Sequence, residues 1–224
     1  GGGGFGADYT AAVGGAGSDG IIVVRYASDS ALATGGTITT YDDSGTTYQV
    51  HSFSDASGLV RHTITANGDV TNTRAQKKIG DSSIVFDGND YLSVADSTDW
   101  DFGSNAWTME FWFRIDSGNA GIWAFGQSAS NLGVSLYAAT TLDVYISSDG
   151  SNWDIQTGTV GMSPSDDTWY HFALVFTGSA YLNFVDGVLE KTTTSSTAIY
   201  NGNHSMYMGR DASSNYLTGY MDEI

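Results

Sequence analysis

The sequence predicts an all-β protein in which a two-sheet antiparallel jelly-roll sandwich follows a small glycine-rich β module. The bends must be made by Gly, Asp and Asn, because the 224 residues contain 29 Gly, a single Pro and only three Glu among 25 acidic residues. From residue 83 onward, short runs rich in Val, Tyr and Phe alternate with these turn residues. Regularly spaced short strands of this kind indicate a sandwich or a jelly roll.

The part of the chain before residue 83 divides into three predicted segments. Residues 1–20 are glycine-rich, and we expect them to become ordered only through packing in an assembly, because Gly loses the most backbone entropy on folding. The apolar run "IIVVRY" at 21–26 predicts a strand buried on both sides, and the turn residues 42–45 predict a hairpin. We therefore predict a small β module over 21–70. The polar run "TNTRAQKKIGDS" at 71–82 is the predicted linker.

The predicted sandwich covers residues 83–224. Two segments within it indicate which side chains of a strand should point to the core. Alternation in "AWTMEFWFRI" directs one set of side chains to the core and the other to the outside. The core set is Met109, Phe111, Phe113 and Ile115, and the outer set is Glu110, Trp112 and Arg114. The segment "WYHFALVF" at 169–176 is apolar on both faces, which predicts a central strand.

Composition excludes several classes of function. A net charge of −17 and a pI near 4.1 disfavour nucleic acid, since a phosphate backbone would be repelled. No apolar run approaches the roughly 20 residues of a membrane span, so no membrane insertion is predicted. The lack of Cys excludes disulfides and thiolate zinc sites. We also expect the 224 residues to be a piece of a longer chain.

Several motifs resemble those of a known family. In order along residues 83–224 stand "SIVFDG", "TWYHFALVF", "FVDG" and "GYMDEI", and together they resemble the laminin-G-like, concanavalin-A-like jelly-roll domains. That resemblance implies the fold, and it leaves open glycan binding, adhesion or attachment to a hydrolase. The glycine-rich start with "GSDGIIVVRY", over about residues 1–60, is similar to modules of bacteriophage tail fibres and other virion appendages.

The same resemblance implies a calcium site. In jelly rolls of this type a calcium ion often links the first hairpin to the last strand, and the matching positions are Asp87, Gly88 and Asp222. Carboxylate and carbonyl oxygens are the ligands that such a hard cation prefers. The alternative is that these residues are ordinary turn aspartates and a turn glycine.

A loop rich in acceptors is the candidate glycan site. The segment "SSDGSNWD" offers Asp149, Asn152 and Asp154 around Trp153, which is the combination of an aromatic face and polar groups that a sugar requires. The alternative is a hairpin loop whose Trp packs against the sandwich. Further aromatic candidates near strand ends are Trp123 and Tyr216, the latter beside Asn215.

Motifs for catalysis are missing. A glycosidase needs two carboxylates that flank one bond, and enzymes of the laminarinase type carry them as E-x-D-x-x-E. Glu110 departs from that motif, because Trp112 and Ile115 occupy the positions of the other two acids. No His stands at metal-binding spacing from another; the four are His51, His62, His171 and His204. The sequence therefore predicts no enzyme.

These observations favour a non-enzymatic structural or adhesion module of a phage fibre or virion surface appendage. Its expected partners are a cell-surface glycan or neighbouring subunits of a homo-oligomeric assembly, and its expected location is the virion surface or the extracellular space. The alternatives are a secreted bacterial adhesin and a polysaccharide-active glycoside hydrolase of the same fold.

Overall fold

A computed structural model describes residues 22–28, 30, 37–53, 62–126 and 131–224. Contacts between Cα atoms divide the chain into two compact units, residues 1–61 and residues 62–224. The predicted glycine-rich segment, residues 1–20, lies outside the described residues.

The first unit contains a three-stranded antiparallel sheet. Its strands are β1 (Ile22–Ala27), β2 (Thr37–Asp43) and β3 (Thr46–Phe53), with β3 in the middle. Ser44 and Gly45 join β2 to β3 with φ angles of +52° and +85°, as a two-residue hairpin turn requires. The hairpin predicted at 42–45 is confirmed, whereas the burial of the side chains predicted for 21–26 lies outside what the structure describes.

The second unit is a sandwich of two antiparallel sheets, as predicted. Its strands are β4 (Ile64–Asn67), β5 (Thr71–Thr73), β6 (Ser83–Asp87), β7 (Tyr91–Val94), β8 (Trp107–Ile115), β9 (Ala120–Gly126), β10 (Leu132–Ala138), β11 (Leu142–Ile146), β12 (Trp169–Phe176), β13 (Ala180–Val185), β14 (Val188–Thr194), β15 (Met206–Met208) and β16 (Thr218–Asp222). The six-stranded sheet has the order β11-β10-β9-β15-β7-β4, and the seven-stranded sheet has the order β14-β13-β12-β8-β16-β6-β5. The predicted central strand, β12, lies inside its sheet.

The boundary between the two units lies earlier in the structure than predicted, between residues 61 and 62 rather than within 71–82. Strand β4, assigned to the small module over 21–70, pairs with β7, and β5, assigned to the linker over 71–82, pairs with β6. The rest of that linker is also held: one carboxylate oxygen of Asp222 accepts from the backbone N–H groups of Lys78 and Ile79 at 2.8 and 3.0 Å. Both strands lie at sheet edges, where polar residues are common, so their composition resembled that of a linker.

Aromatic and aliphatic side chains from both sheets fill the core. In β8 the alternation is as predicted for Phe111 and Phe113, which are at most 1% exposed, while Trp112 is half-buried on the outer face. Trp123, a candidate for sugar binding, is 4% exposed and belongs to the core. The segment 152–157 forms no strand, and Gln156 makes an isolated bridge with Ile146.

Among the described residues, the only helical segment is a three-residue 3₁₀ turn at Thr98–Trp100. Within those ranges no helix has the length and hydropathy that crossing a membrane requires.

Candidate functional site

A cavity of about 410 Å³ opens on the outer face of the six-stranded sheet. Its floor follows from alternation along β10 and β11. Val134 and Leu136 of β10 point to the core, so Ser135 and Tyr137 point outward, and Tyr145 of β11 lies directly opposite Ser135. The remaining lining residues come from two loops: Trp153, Asp211, Ser213 and Asn215.

Three aromatic side chains line the cavity. Tyr137 and Tyr145 stand on neighbouring strands, and the ring of Trp153 lies 5.6 Å from that of Tyr145 between centroids. The Tyr145 hydroxyl donates to a carboxylate oxygen of Asp143 at 3.3 Å, which fixes the ring. Burial raises the pKa of Tyr145, and the neighbouring Asp143 raises it further. Tyr145 is therefore a neutral phenol at physiological pH.

The polar wall of the cavity is the loop 211–215, which is organised by a buried aspartate. Asp211 is 3% exposed, and its carboxylate accepts from the backbone N–H groups of Ser213 at 2.9 Å and Asn215 at 2.8 Å. The Asn215 side-chain amide donates to the second oxygen of Asp211 at 2.7 Å. These bonds hold Asn215 and Ser213 at the edge of the cavity, where both are exposed.

Contacts with the sheet fix this loop from below. The N–H of Ala212 donates to the Ser135 hydroxyl at 3.2 Å. Gly121 of β9 leaves room for the loop, because a Cβ at that position would lie 2.1 Å from the Asn215 carbonyl oxygen and 2.4 Å from the Asp211 nitrogen. The polar wall therefore depends on a glycine in the floor.

A cluster of tyrosines anchors both ends of the same loop. The Arg210 guanidinium lies 4.7 Å from the ring centroids of Tyr91 and Tyr207 and 5.7 Å from that of Tyr216. Arg210 is 3% exposed, and it donates to the Ser214 hydroxyl at 2.6 Å. Tyr216, a sequence candidate for sugar stacking, thus packs against Arg210, while its neighbour Asn215 lines the cavity.

The predicted glycan loop contributes one of its four nominated residues to the cavity. Trp153 lines it, whereas the carboxylates of Asp149 and Asp154 are occupied within the loop itself. Asp149 accepts from the side chain of Asn152 at 2.9 Å and from its backbone N–H at 2.8 Å. Asp154 accepts from the backbone N–H of Ser148 at 2.8 Å and from its hydroxyl.

These bonds also change the acidity of Asp149. The hydrogen bond from the Asn152 side chain, helped by the backbone N–H groups of Ser151 and Asn152, lowers the pKa of Asp149 to about 2. The carboxylate is therefore ionised at physiological pH and holds the loop in shape. Glycan binding by Asp149, Asn152 and Asp154 stays a prediction.

Sequence reasoning missed most of the cavity. It did not nominate Ser135, Tyr137, Tyr145, Asp211 or Ser213. A signal was present for the two tyrosines, which occupy the outward positions of strongly alternating strands. The run "DASSNY" at 211–216 also repeats the pattern of "DGSNW" at 149–153, in which an Asp precedes Ser, Asn and an aromatic residue.

The predicted metal residues do not meet at one point. In the register of β16 against β6, Thr218 lies opposite Asp87 and Met221 opposite Ile84, so Asp222 stands four residues along the strand from Asp87's partner. That separation is about 13 Å at the usual rise per residue. Asp222 instead holds the backbone of the 74–82 loop, which corrects its assignment as a ligand beside Asp87.

A different set of acids surrounds Asp87. One carboxylate oxygen from each of Asp69, Asp87 and Asp90 lies within 4.8 Å of the others. Gly88 has a φ of +97°, and a Cβ there would lie 2.6 Å from the Thr218 hydroxyl, so it serves as a turn glycine. Burial raises the pKa of Asp90, which is 1% exposed, and the charges of Asp87 and Asp69 raise it further. Three carboxylates suit a hard cation such as Ca²⁺, whose binding stays a prediction.

Glu110 stands beside His171, whereas His62 and His204 lie at other places in the sandwich. Glu110 is exposed on the outer face of the seven-stranded sheet, and its carboxylate lies 3.8 Å from His171 Nε2. His62 contacts Asp99 at 2.8 Å. His204 is 1% exposed beside Phe125, and burial lowers the pKa of its imidazole. The side chain of His51 lies outside the described ones.

The second unit is thus an antiparallel β-sandwich with an aromatic-lined cavity on its six-stranded sheet. Residues 86–224 match the family model of the concanavalin A-like lectin/glucanases superfamily in its laminin G form. The chain belongs to this family, as the sequence motifs predicted. A comparison with curated proteins found no match.

Solved structures share the fold. The chain is similar to domain 4 of AbnA, an extracellular family GH43 arabinanase from Geobacillus stearothermophilus, solved with arabinotriose: the TM-score is 0.55 at 16% identity, covering 72% of this chain and 79% of that one. It is also similar to the binding domain of botulinum neurotoxin serotype D, with a TM-score of 0.52 at 9% identity over 75% of this chain and 44% of the toxin chain. At these identities the likeness concerns the fold alone.

Proposed function

We propose that the sandwich is a non-enzymatic carbohydrate-binding module, which binds a saccharide in the cavity between Trp153 and the loop 211–215. The observation that carries the proposal is the pairing of three aromatic side chains with a fixed polar wall in one cavity of about 410 Å³. Small-molecule sites commonly measure about 300–1,000 Å³ and combine apolar surface with a few placed polar groups. The arabinotriose bound by the similar arabinanase domain is in keeping with this proposal.

The chemistry of a pyranose fits the two walls. One face of the sugar ring presents C–H groups, which pack on the electron-rich face of an indole or a phenol. Its hydroxyl groups can donate to exposed oxygens and accept from amide N–H groups, and Asn215 supplies both. Because Asp211 already accepts three hydrogen bonds, its role is to position Asn215 and Ser213.

The test is binding of a multivalent form of the chain to a glycan array. Trp153→Ala should lower binding about tenfold, because one stacked aromatic contributes on the order of 1 kcal/mol beyond its buried area. Trp100→Ala is the matched control, since Trp100 is half-buried but stands beside His62, outside the cavity. Equal binding by wild type and Trp153→Ala would place the site elsewhere. Failure of the wild-type protein to bind any glycan would contradict the proposal.

The non-enzymatic part has its own experiment. Glu110 lies beside His171 at 3.8 Å, and Trp112 and Ile115 occupy the positions where a glycosidase strand would carry further acids. We expect no reducing ends to be released from a panel of polysaccharides. Turnover that disappears in Glu110→Gln would establish the alternative, a glycoside hydrolase.

The biological setting is proposed as adhesion by many copies, on a virion appendage or in another extracellular assembly. Support comes from affinity: a single aromatic site binds weakly, and useful attachment then requires high effective concentration. The virion setting also depends on the resemblance of the glycine-rich start, which lies outside the described residues. Electron microscopy of the native assembly would test it. Copies arrayed on a particle or filament are expected, and a dispersed monomer would contradict it.

A further inference from the structure

The outer face of the seven-stranded sheet carries aromatic side chains that the core does not use. On β8, Phe111 and Phe113 point inward, so Trp112 between them points outward. His171 of β12 lies directly opposite Trp112, and their ring centroids are 5.1 Å apart. Trp169, two residues before His171, faces the same way. All three outer rings are half-buried, unlike the fully buried aromatics beneath them.

These rings line a second cavity, of about 450 Å³, together with Lys78 and Asp186. The Lys78 ammonium lies 4.3 Å from the centroid of the Trp112 ring. Its backbone is fixed by the Asp222 carboxylate, which accepts from the Lys78 N–H at 2.8 Å. Asp186 is fixed as well, because one of its carboxylate oxygens accepts from the His171 backbone N–H at 2.8 Å. The aromatic surface therefore has fixed donors and acceptors at its rim.

This combination fits a saccharide better than a protein partner. The core of a protein interface is depleted in charged residues, whereas here Lys78 and Asp186 share one cavity with two indoles. A sugar ring needs that mixture, since it presents C–H groups on its face and hydroxyl groups on its edge. Lys78 and His171 can donate to hydroxyl oxygens, and Asp186 can accept from hydroxyl protons.

We infer that Trp112 and Trp169 form a second saccharide site, so that one sandwich binds two saccharide chains on opposite faces. The choice of ligand class rests on the proposed function, but the site uses different residues and a different sheet. Packed sheets lie about 10 Å apart, and the two cavities open away from each other, so a short oligosaccharide cannot occupy both. A single copy could then join two polysaccharide chains.

The test is native affinity electrophoresis of the full chain in gels that contain arabinan, xylan, mannan or dextran. Four proteins are compared with wild type: Trp153→Ala, the double variant Trp112→Ala/Trp169→Ala, the triple variant that combines them, and the control Trp100→Ala. Near-ultraviolet circular dichroism confirms the fold of each. Lys78→Met is a second probe of the new site, because Lys78 is exposed and its loss leaves the core untouched.

The polysaccharide that retards wild type should still retard Trp153→Ala and the double variant, because each keeps one intact site. In each of them the affinity of the altered site should fall about tenfold. The triple variant alone should migrate without retardation. If Trp153→Ala alone abolishes retardation and the double variant and Lys78→Met migrate like wild type, the second site is refuted and the first stands. If only the double variant and Lys78→Met lose retardation, the second site stands and the first fails. Migration of wild type without retardation in all four gels would count against both.

Discussion

The loops 147–154 and 211–215 both line the first cavity and share a local hydrogen-bond pattern, yet only 211–215 forms the polar wall of that cavity. Asp149 accepts from the backbone and side chain of Asn152, and Asp211 accepts in the same way from Asn215. The carboxylate of Asp149 is exposed, whereas Asp211 is 3% exposed. The loop with the exposed Asp149 supplies an aromatic ring, and the loop with the buried Asp211 supplies the polar groups.

The difference shows that tertiary contacts decide which of the two loops supplies the polar groups of the site. The 211–215 loop is held from below by the Ser135 hydroxyl and lies on the space that Gly121 leaves open. The loop that contains Asp149 takes its shape from its own hydrogen bonds, and Gly150 links it to β10 by accepting from the Leu132 backbone N–H at 2.9 Å. Loops that are fixed on a sheet can present their polar groups with little loss of entropy on binding, which favours affinity.

The largest expected effect comes from removing the buried aspartate. Asp211→Ala leaves the N–H groups of Ser213 and Asn215 without their acceptor, and we expect the free energy of unfolding to fall by about 3 kcal/mol. Asp149→Ala removes an equivalent set of bonds from an exposed loop, where water replaces them, so its change should be much smaller. Denaturant unfolding measures both. A larger loss in Asp149→Ala would contradict the comparison.

A slightly smaller effect is expected from the floor of the cavity. Gly121→Ala places a methyl group against backbone atoms of Asp211 and Asn215, so the loop must move, at a cost of about 2 kcal/mol. Saccharide binding at the first cavity should weaken as well. The control is Gly158→Ala, which meets no atom within 4 Å and adds only backbone strain at its φ of +74°. Unchanged binding in a folded Gly121→Ala protein would show that the loop position is unimportant.

A third aspartate extends the comparison, because Asp90 is buried among carboxylates. Its pKa is raised in the folded protein, so its contribution to stability is complete below the unfolded pKa and is lost as pH rises through the folded value. The contribution of Asp90 to stability should therefore increase as the pH is lowered towards the unfolded value of 3.8 in the presence of a chelator. Millimolar Ca²⁺ at pH 7 should raise the melting temperature by mass action.

The variant Asp90→Asn distinguishes the effect of protonating Asp90 on stability from the effect of Ca²⁺ binding. The amide oxygen can still accept from the Asp87 N–H, which Asp90 does at 3.0 Å. We expect this variant to be more stable than wild type in chelator at pH 7 and to lose the response to Ca²⁺. If wild type and variant respond equally to Ca²⁺, these acids are turn residues and the calcium prediction is wrong.

The smallest effect concerns acid sensitivity of the exposed loop. The pKa of Asp149 is lowered to about 2, so its contribution to stability is present above the unfolded value of 3.8 and is lost as pH falls through about 2. Titration followed by the side-chain carboxyl resonance should show ionised Asp149 at pH 4. In Asn152→Ala the pKa should move back towards 3.8. An ordinary pKa in wild type would mean that the loop is not held by this carboxylate.

Much of the fold could be predicted because alternation reports the two faces of a strand directly. In β8 the pattern separated Phe111 and Phe113 from Trp112 without any knowledge of the partner strands. The boundary at 71–82 could not be predicted, because edge strands such as β5 are polar and short. Their pairing with β6 is a long-range contact that local composition does not encode.

The candidate site was only partly predictable for the same reason. Trp153 stood out as an aromatic residue among turn residues, and it does line the cavity. Tyr137, Tyr145 and Asp211 come together only when β10, β11 and the loop after β15 meet on one face. The calcium assignment failed at Asp222 because family resemblance gave the order of motifs but not the register of β16 against β6.

The most direct test of saccharide binding in the first cavity is a titration followed by the indole N–H resonances of the six tryptophans, assigned with single Trp→Phe variants. The probe is the trisaccharide of whichever polysaccharide retards the chain. We predict that the Trp153 signal shifts on binding, while that of Trp123, at 4% exposed in the core, stays in place. Shifts at Trp112 and Trp169 would report the second face. A trisaccharide that binds with no movement of the Trp153 signal would contradict the account.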